Sequence, residues 1–447
     1  MSGRSKILAL ASVGALCILV GASFASARPS VVNDSGTLTI MGFGKGDDVA
    51  QTRAAIATKA VSPAKIVNPD GGFNDQQFLT AIAGGNAPDL VYMDRQDVGT
   101  YAAKGVLQPL TSCISSQKID MSQYRKAAVQ EVSYDGQVYG IPEFENARTL
   151  IVNKQVVASA GLKVSDISTT NWAKLSQVAK KLVQISNGKV TRIGFDPKLP
   201  EFLPLWAMAN GQPLLSSNGM TPYLNAPKTV AALTYAVSLI KEQGGWNAFS
   251  SFRNTFDFFG NGNEYAKNQL GAFPIEDWYY NVLAQTSPQI SIASVPFTNR
   301  QGQPINYEGG SVWVIPKAAK NPDAACTWAK TMTSVSTWMA AAKERAAKVA
   351  KAGQPFTGLF TANTTADNDI YKHVFKASPK YAQWNTAYKT LLRVMANSFG
   401  ISVSPAGEEI KTDWTNAVNR VLQGQQSPKQ ALDQAQQEAV SAISSAK

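Results

Sequence analysis

An α/β fold of two or more lobes is the architecture this sequence predicts, and three observations carry it. Short apolar runs bounded by turn residues alternate with amphipathic helical patterns along the whole chain, the mark of sheets with helices packed on their faces. At 447 residues the chain is longer than one core normally serves. Its balance of 44% hydrophobic and 16% charged residues is globular, neither disordered nor a series of membrane spans.

The elements follow in chain order. Arg4 and Lys6 precede an apolar stretch from Ile7 to Phe24, and Ala25-Ser26-Ala27 fits the small-x-small cleavage rule. Residues 1–27 therefore read as a signal peptide, with Arg28 as the mature start. Leu16 stands before Cys17, where a lipobox needs a small residue, so export without a lipid is expected. An uncleaved anchor is the alternative, because the apolar run approaches spanning length.

Thr37-Leu-Thr-Ile-Met41 is a strand, and Gly42-Phe43-Gly44-Lys45-Gly46-Asp47 follows it. That glycine spacing matches neither nucleotide-binding loop; it suits close backbone approach in a cleft. Phe78, Leu79 and Ile82 form a helix face ending at Gly84-Gly85, and Asp89-Leu-Val-Tyr-Met93 reads as a buried strand that stops on Asp94. A carboxylate where a buried strand ends points to a ligand, because open α/β sheets bind at their strands' carboxyl ends. Capping of the next helix is the equal alternative for Asp94.

Asn171 is read as the cap of a helix whose face is Leu175, Val178, Leu182 and Ile185, stopped by Gly188. Val230, Leu233, Val237 and Ile240 repeat the pattern up to Gly244-Gly245. Ile193-Gly194-Phe195 and Ser311-Val-Trp-Val-Ile315 are apolar strands. Ser427-Pro-Lys-Gln430 is a capping box with proline at the first helical position, opening a helix that buries Leu432, Ala435, Ala439, Val440 and Ile443.

Composition narrows the chemistry. The lone histidine, His373, argues against a Ser-His-Asp triad, a Cys-His pair or a multi-histidine metal site. The net charge of +11 is spread thin, and no aromatic-plus-basic stripe accompanies it, so nucleic acid is not an expected partner. Beyond the signal two cysteines remain, Cys113 and Cys326. Outside the cytoplasm a disulfide is permitted, and two free buried thiols are the equal alternative.

The order of segments resembles the extracellular solute-binding proteins of ABC importers, specifically the maltose-binding-like, sugar-binding family. The resemblance is carried by residues 81–110, by Tyr134-Asp-Gly-Gln-Val-Tyr-Gly-Ile-Pro142, by Leu150-Ile-Val-Asn-Lys154 with Ala160-Gly-Leu162, by Asn321–Trp328, and by Leu422–Leu432. It implies a two-lobed periplasmic-binding-protein fold of type II, with crossovers near Pro142–Arg148, Val295–Arg300 and Thr331–Ser336. The lobes would be 28–143 plus 299–334, and 144–298 plus 335–447. It also implies a carbohydrate ligand bound by hinge closure, a membrane permease as partner, a monomeric chain, no enzymatic turnover and no cofactor or metal.

A sugar offers apolar faces to aromatic rings and hydroxyl edges to acids and amides. Segments that supply both give the expected ligand-binding residues: Phe43, Gly44, Asp94, Glu143, Glu145, Trp206, Asp277, Trp278, Gly310 and Trp313. Of Glu143 and Glu145, at most one is expected to face the cleft, the other being solvated. Trp328 and Trp338 are expected in the core. Two rival readings remain. Tyr279-Tyr280 matches the paired tyrosines of ferric-ion-binding relatives, though such a site wants further ligands. The acid pairs Asp47/Asp48, Glu143/Glu145 and Glu276/Asp277 could serve a glycosidase.

Overall fold

In a computed structural model, the protein is described over residues 36–69 and 71–446. The expected signal peptide, its cleavage site and Cys17 lie outside the described residues. Among those described, the strands in chain order are β1 (Thr37–Met41), β2 (Lys65–Val67), β3 (Leu90–Asp94), β4 (Ser133–Tyr134), β5 (Gln137–Val138), β6 (Gly140–Pro142) and β7 (Arg148–Asn153), then β8 (Gln184–Ser186), β9 (Lys189–Phe195), β10 (Leu270–Glu276), β11 (Ile292–Val295), β12 (Asn306–Tyr307), β13 (Ser311–Val314) and β14 (Ser398–Phe399).

They form two five-stranded sheets, in orders β2-β1-β3-β13-β6 and β11-β7-β10-β9-β8. In the first, β1 runs parallel to β2 and β3, while β13 runs antiparallel to both β3 and β6. In the second, β10 runs parallel to β9 and antiparallel to β7. These directions locate the crevice. The chain leaves β6 at the edge where β3 ends, crosses once, and enters β7 at the edge where β10 ends. The carboxyl ends of the two sheets therefore face one another across residues 143–147, the setting in which open α/β sheets hold ligands.

Strands β1 and β3 are tied together at Asp89. Asp89 is buried, and its carboxylate accepts from Thr39 N and Oγ1, each at 2.8 Å, and from the backbone N–H groups of Lys320 and Asn321, each at 2.8 Å. Asp89 thus ties β1, the start of β3 and the segment after β13 together, and Asp94 is the exposed end of the same strand.

Crossings two and three fall later than expected. Around Val295–Arg300 the chain is still held by the second sheet's layer: Thr169 Oγ1 accepts from Thr298 N at 2.7 Å, and Arg300 N donates to Ala209 O at 3.0 Å. It passes over at Asn306–Gly310, where β12 pairs with β14 and Asn146 N donates to Gly309 O. Thr331–Ser336 is no crossing, because helix Pro322–Thr333 leads directly into helix Val335–Lys351. That second helix packs on helix Asp48–Ala60, with Trp338 fully buried under the Arg53 guanidinium, 3.9 Å from the ring centroid. The chain reaches β7 and β11 again with helix Ala382–Met395.

Cys113 and Cys326 are joined, linking helix Thr111–Ser116 to helix Pro322–Thr333. The caps at Asn171 and Ser427 form as the sequence indicates. Two helix-face residues do not. Ile185 is 50% exposed in β8, because the helix ends at Leu182 and Asn187-Gly188, both at positive φ, make a hairpin into β9. Val440 is 46% exposed; Ala439 and Ile443 already fill the buried stripe of that helix.

Candidate ligand-binding site

Three walls meet at the crevice. The first rises from β1 and β3. The chain turns out of β1 at Gly42, φ +86°, where a Cβ would sit 2.2 Å from Tyr92 O, so a side chain is excluded. Phe43 folds back inward, 2% exposed. Its ring meets Tyr92 edge-on at 5.3 Å and lies 5.1 Å from Trp313, with Tyr92 and Trp313 4.8 Å apart. Gly44 is exposed with open space around it. Asp94 is exposed, its carboxylate 3.4 Å from Lys411 Nζ, and it makes no side-chain cap to the short helix that follows.

Trp313 is fully buried. It therefore backs Phe43 and Tyr92 and presents no face to the crevice. The reason is register: Trp313 is opposite Tyr92 in the pairing of β13 with β3, and Trp328 closes over it at 6.4 Å. Trp206 is also fully buried, in the core behind the second sheet. Its Nε1 donates to Pro197 O at 2.8 Å, and its ring packs on Phe297 at 5.0 Å.

The second wall is the crossing itself. Glu143 and Glu145 are both buried, while Phe144 and Asn146 are partly exposed. This corrects the expectation that one acid is solvated: extended chain has a period of two, so residues 143 and 145 share a face. Glu143 pairs with Arg53 and accepts from Tyr92 Oη at 2.5 Å. Glu145 Oε2 takes Arg95 Nη2 at 2.9 Å, and Arg95 Nε reaches Glu131 at 2.7 Å. At Gly310 a Cβ would stand 2.0 Å from Phe144 O, so this glycine lets two crossing backbones touch each other.

Close to that pair lies Glu308, buried, with neither carboxylate oxygen hydrogen-bonded. Burial, reinforced by Glu145 and Glu131, pushes its carboxyl up to about 9. Burial likewise raises Glu131 to about 7. Burial opposes the charge of Arg95, but Glu145, Glu131 and Glu308 together hold its guanidinium charged.

The third wall is the end of β10. Asp277 is buried, accepting from Ala147 N at 2.8 Å while its own N–H donates to Ala147 O. It therefore pins the crossing to β10, and burial raises its carboxyl well above the usual range. Glu276 pairs with Arg148 at 3.2 Å. Trp278, half-buried at the start of helix Trp278–Thr286, stacks on Phe259 with ring centroids 6.0 Å apart and planes 17° apart. Phe259 is 68% exposed, and Phe258 stacks beneath it on Tyr279 at 4.2 Å. The tandem tyrosines do not converge: Tyr279 Oη donates to Glu264 at 2.5 Å, and Tyr280 Oη bonds Thr149 Oγ1 at 2.8 Å. Among the described residues, no group of three His, Cys, Asp or Glu is placed to hold a metal ion.

Of the ten expected residues, Gly44 and Asp94 are exposed and Trp278 is half-buried, each at or just beyond the carboxyl end of a strand. Phe43, Glu143, Glu145, Asp277, Gly310 and Trp313 shape or brace the crevice walls, and Trp206 lies apart. Four residues outside the expected set stand beside it in the structure, Tyr92, Phe144, Asn146 and Phe259. The first three were legible from strand alternation, and Phe259 from the run Phe256-Asp-Phe258-Phe259-Gly260, which no buried element claims.

A family model described as bacterial extracellular solute-binding protein matches residues 65–383, more than half the chain. The chain belongs to that family. This solute-binding protein is 23% identical over 256 residues to a maltooligosaccharide ABC transporter solute-binding lipoprotein of Streptococcus pneumoniae, covering 54% of each chain. It is 27% identical over 142 residues to a lactose-binding protein of Rhizobium radiobacter, covering 29% of this chain and 32% of that one. The matches thus span about a third to a half of those relatives. Two solved structures share the fold: CpMnBP1 with mannobiose bound, at TM-score 0.73 and 23% identity over 91% of this chain and 100% of that one, and a maltose/maltodextrin-binding domain from Bdellovibrio bacteriovorus bound to maltotriose, at TM-score 0.68 and 20% identity over 91% and 100%. The solute-binding protein is accordingly two-lobed, and among its described residues no helix is long and apolar enough to cross a membrane.

Proposed function

We propose that this solute-binding protein holds a carbohydrate, a mono- or oligosaccharide, in the crevice and delivers it to the permease of an ABC importer without chemical turnover. The observation that carries the reading is the Trp278–Phe259 stack, with Phe259 exposed and Trp278 half-buried, two positions along the chain from the Arg148-paired acid Glu276. Aromatic faces with nearby carboxylates suit the apolar faces and hydroxyl edges of a sugar. The sugar-binding relatives and the mannobiose- and maltotriose-bound structures support it. The buried, separately bonded Tyr279 and Tyr280 weigh against ferric ion.

In this reading one lobe is built on residues 36–143 and 311–351, the other on 144–305 and 382–446. The ligand bridges them, so binding favours the closed arrangement. The chain acts as a monomer, exported by a signal peptide cut after Ala27, with no lipid on Cys17. Calorimetry against a panel of neutral saccharides, with small-angle scattering and product analysis, tests the assignment. One saturable sugar, a smaller radius of gyration and intact saccharide are the expected results. Ferric iron binding while every sugar fails, or release of reducing ends, would overturn it.

A further inference from the structure

A cavity of about 560 Å³ lies against the second wall, with which it shares Glu131, and is lined by none of Phe43, Asp94, Trp278 and Phe259. It is lined by residues from 127–135, from the turn 217–220 and from 400–403, and opens to solvent. Its size is that of a small-molecule site. Glu131 lines it and is 2% exposed; Oε2 is bound by Arg95, and buried Oε1 has no hydrogen-bond partner. Gly400 passes over that oxygen so closely that a Cβ would sit 2.3 Å from it. Asp135 is the second carboxylate, held at the rim by the tight turn Asp135-Gly136, both at positive φ. No lysine or arginine lines the cavity, although the chain has 42 of them against 31 acids. Behind Glu131, the Arg95 guanidinium is shared with Glu145, so no free cation stands between Glu131 and the cavity. Tyr134, Met220, Ile401 and Val403 supply the apolar part of the lining.

We propose that this cavity is a second ligand site and that it takes a small organic cation, an alkyl- or quaternary ammonium group. The positive charge is attracted to Glu131 and Asp135, and the alkyl body lies against Met220, Ile401 and the Tyr134 ring. An ammonium needs no fixed coordination shell, which fits a cavity whose acids are not grouped for a metal. Aromatic and carboxylate groups together are the usual recognition set for such cations. The proposal stands apart from what the crevice binds.

Choline chloride titrated into the full-length protein at low salt is the test, with 3,3-dimethylbutan-1-ol as its uncharged isostere and magnesium chloride as the inorganic control. Saturable choline binding is expected, about tenfold or more tighter than the alcohol, with no response to magnesium. Glu131→Gln should weaken it. Because Glu131 is buried and ion-paired, two exposed-site variants keep the test sound if that protein does not fold: Asp135→Asn should weaken choline binding, and Asn218→Lys, which adds a competing ammonium, should abolish it. Trp278→Ala should leave it unchanged. Equal binding of the alcohol, no choline binding up to millimolar concentration, indifference to both Asp135→Asn and Asn218→Lys, or loss on Trp278→Ala would each overturn the proposal, the last by placing the cation on the crevice aromatics.

Discussion

The Trp278 ring lies within 17° of parallel to that of Phe259, centroids 6.0 Å apart, and Phe259 keeps 68% of its surface in solvent. An exposed ring pair of this kind gains little for the fold and much for a ligand. Trp278→Ala and Phe259→Ala are each expected to cost about 2 kcal/mol of saccharide binding, roughly thirtyfold in affinity. Calorimetry measures that cost, and thermal unfolding should move little. Normal affinity in both variants would place the sugar elsewhere in the crevice.

Trp206 and Trp313 call for the opposite result. Both are wholly buried, so truncation to alanine opens a cavity and should lower stability by about 3–5 kcal/mol, read from urea unfolding. For Trp206→Ala the folded fraction should bind sugar with near-normal affinity. A stable Trp206→Ala protein that has lost binding would return that residue to the site.

Arg53 and Glu143 form a buried ion pair, with Tyr92 as a further donor to Glu143. Removing one partner strands a charge, so Glu143→Gln should destabilise the protein by about 3–5 kcal/mol. The double variant Arg53→Met/Glu143→Leu should recover a large part of that loss, because no unpaired charge then remains. Equal unfolding midpoints for the single and double variants would show that shape, not charge, sets the cost.

Stability should fall as the solution turns from mildly acidic to alkaline. Glu308 is raised to about 9, Glu131 to about 7 and Glu264 to about 7, in each case chiefly by burial. In the unfolded chain glutamate titrates near about 4.3. Between that value and the raised ones the folded state holds protons that the unfolded state has released. The contribution is therefore full below about 4.3 and lost as pH rises through about 7 and then about 9. Chemical denaturation at a series of pH values should show this decline, and Glu308→Gln should flatten its upper part. A variant profile identical to the wild type above pH 7 would exclude Glu308 as its source.

The Cys113–Cys326 bond spans 213 positions of sequence and ties two helices of the first sheet's layer. Replacing both cysteines with alanine is expected to lower stability by about 2–4 kcal/mol and to leave saccharide affinity unchanged. A variant as stable as the wild type to urea would show that packing alone holds these helices together.

By itself the sequence determined what depends on neighbours along the chain. Strand and helix periods, the caps at Asn171 and Ser427 and the stop at Asp94 are local, because a cap or an alternation needs only a few consecutive residues. The order of those segments carried the family and its two-lobed fold. What only the tertiary structure decided depends on partners far away in sequence. Whether a tryptophan forms a wall or a core is set by its distant neighbours: Trp206, Trp278 and Trp313 read alike, yet Trp328 closes over Trp313, Phe297 packs on Trp206, and Phe259 leaves Trp278 half open. The destination of a charge is equally hidden. Glu143 and Glu145 looked available until Arg53 and Arg95, 90 and 50 positions upstream, came in to bury them. Later crossings were displaced for the same reason. Thr169 and Ala209 hold residues 298–300 on the second sheet, and helix Asp48–Ala60 claims helix Val335–Lys351 for the first. Burial is a property of the assembled surface, and a pattern of residues along one segment cannot state which other segment will cover it.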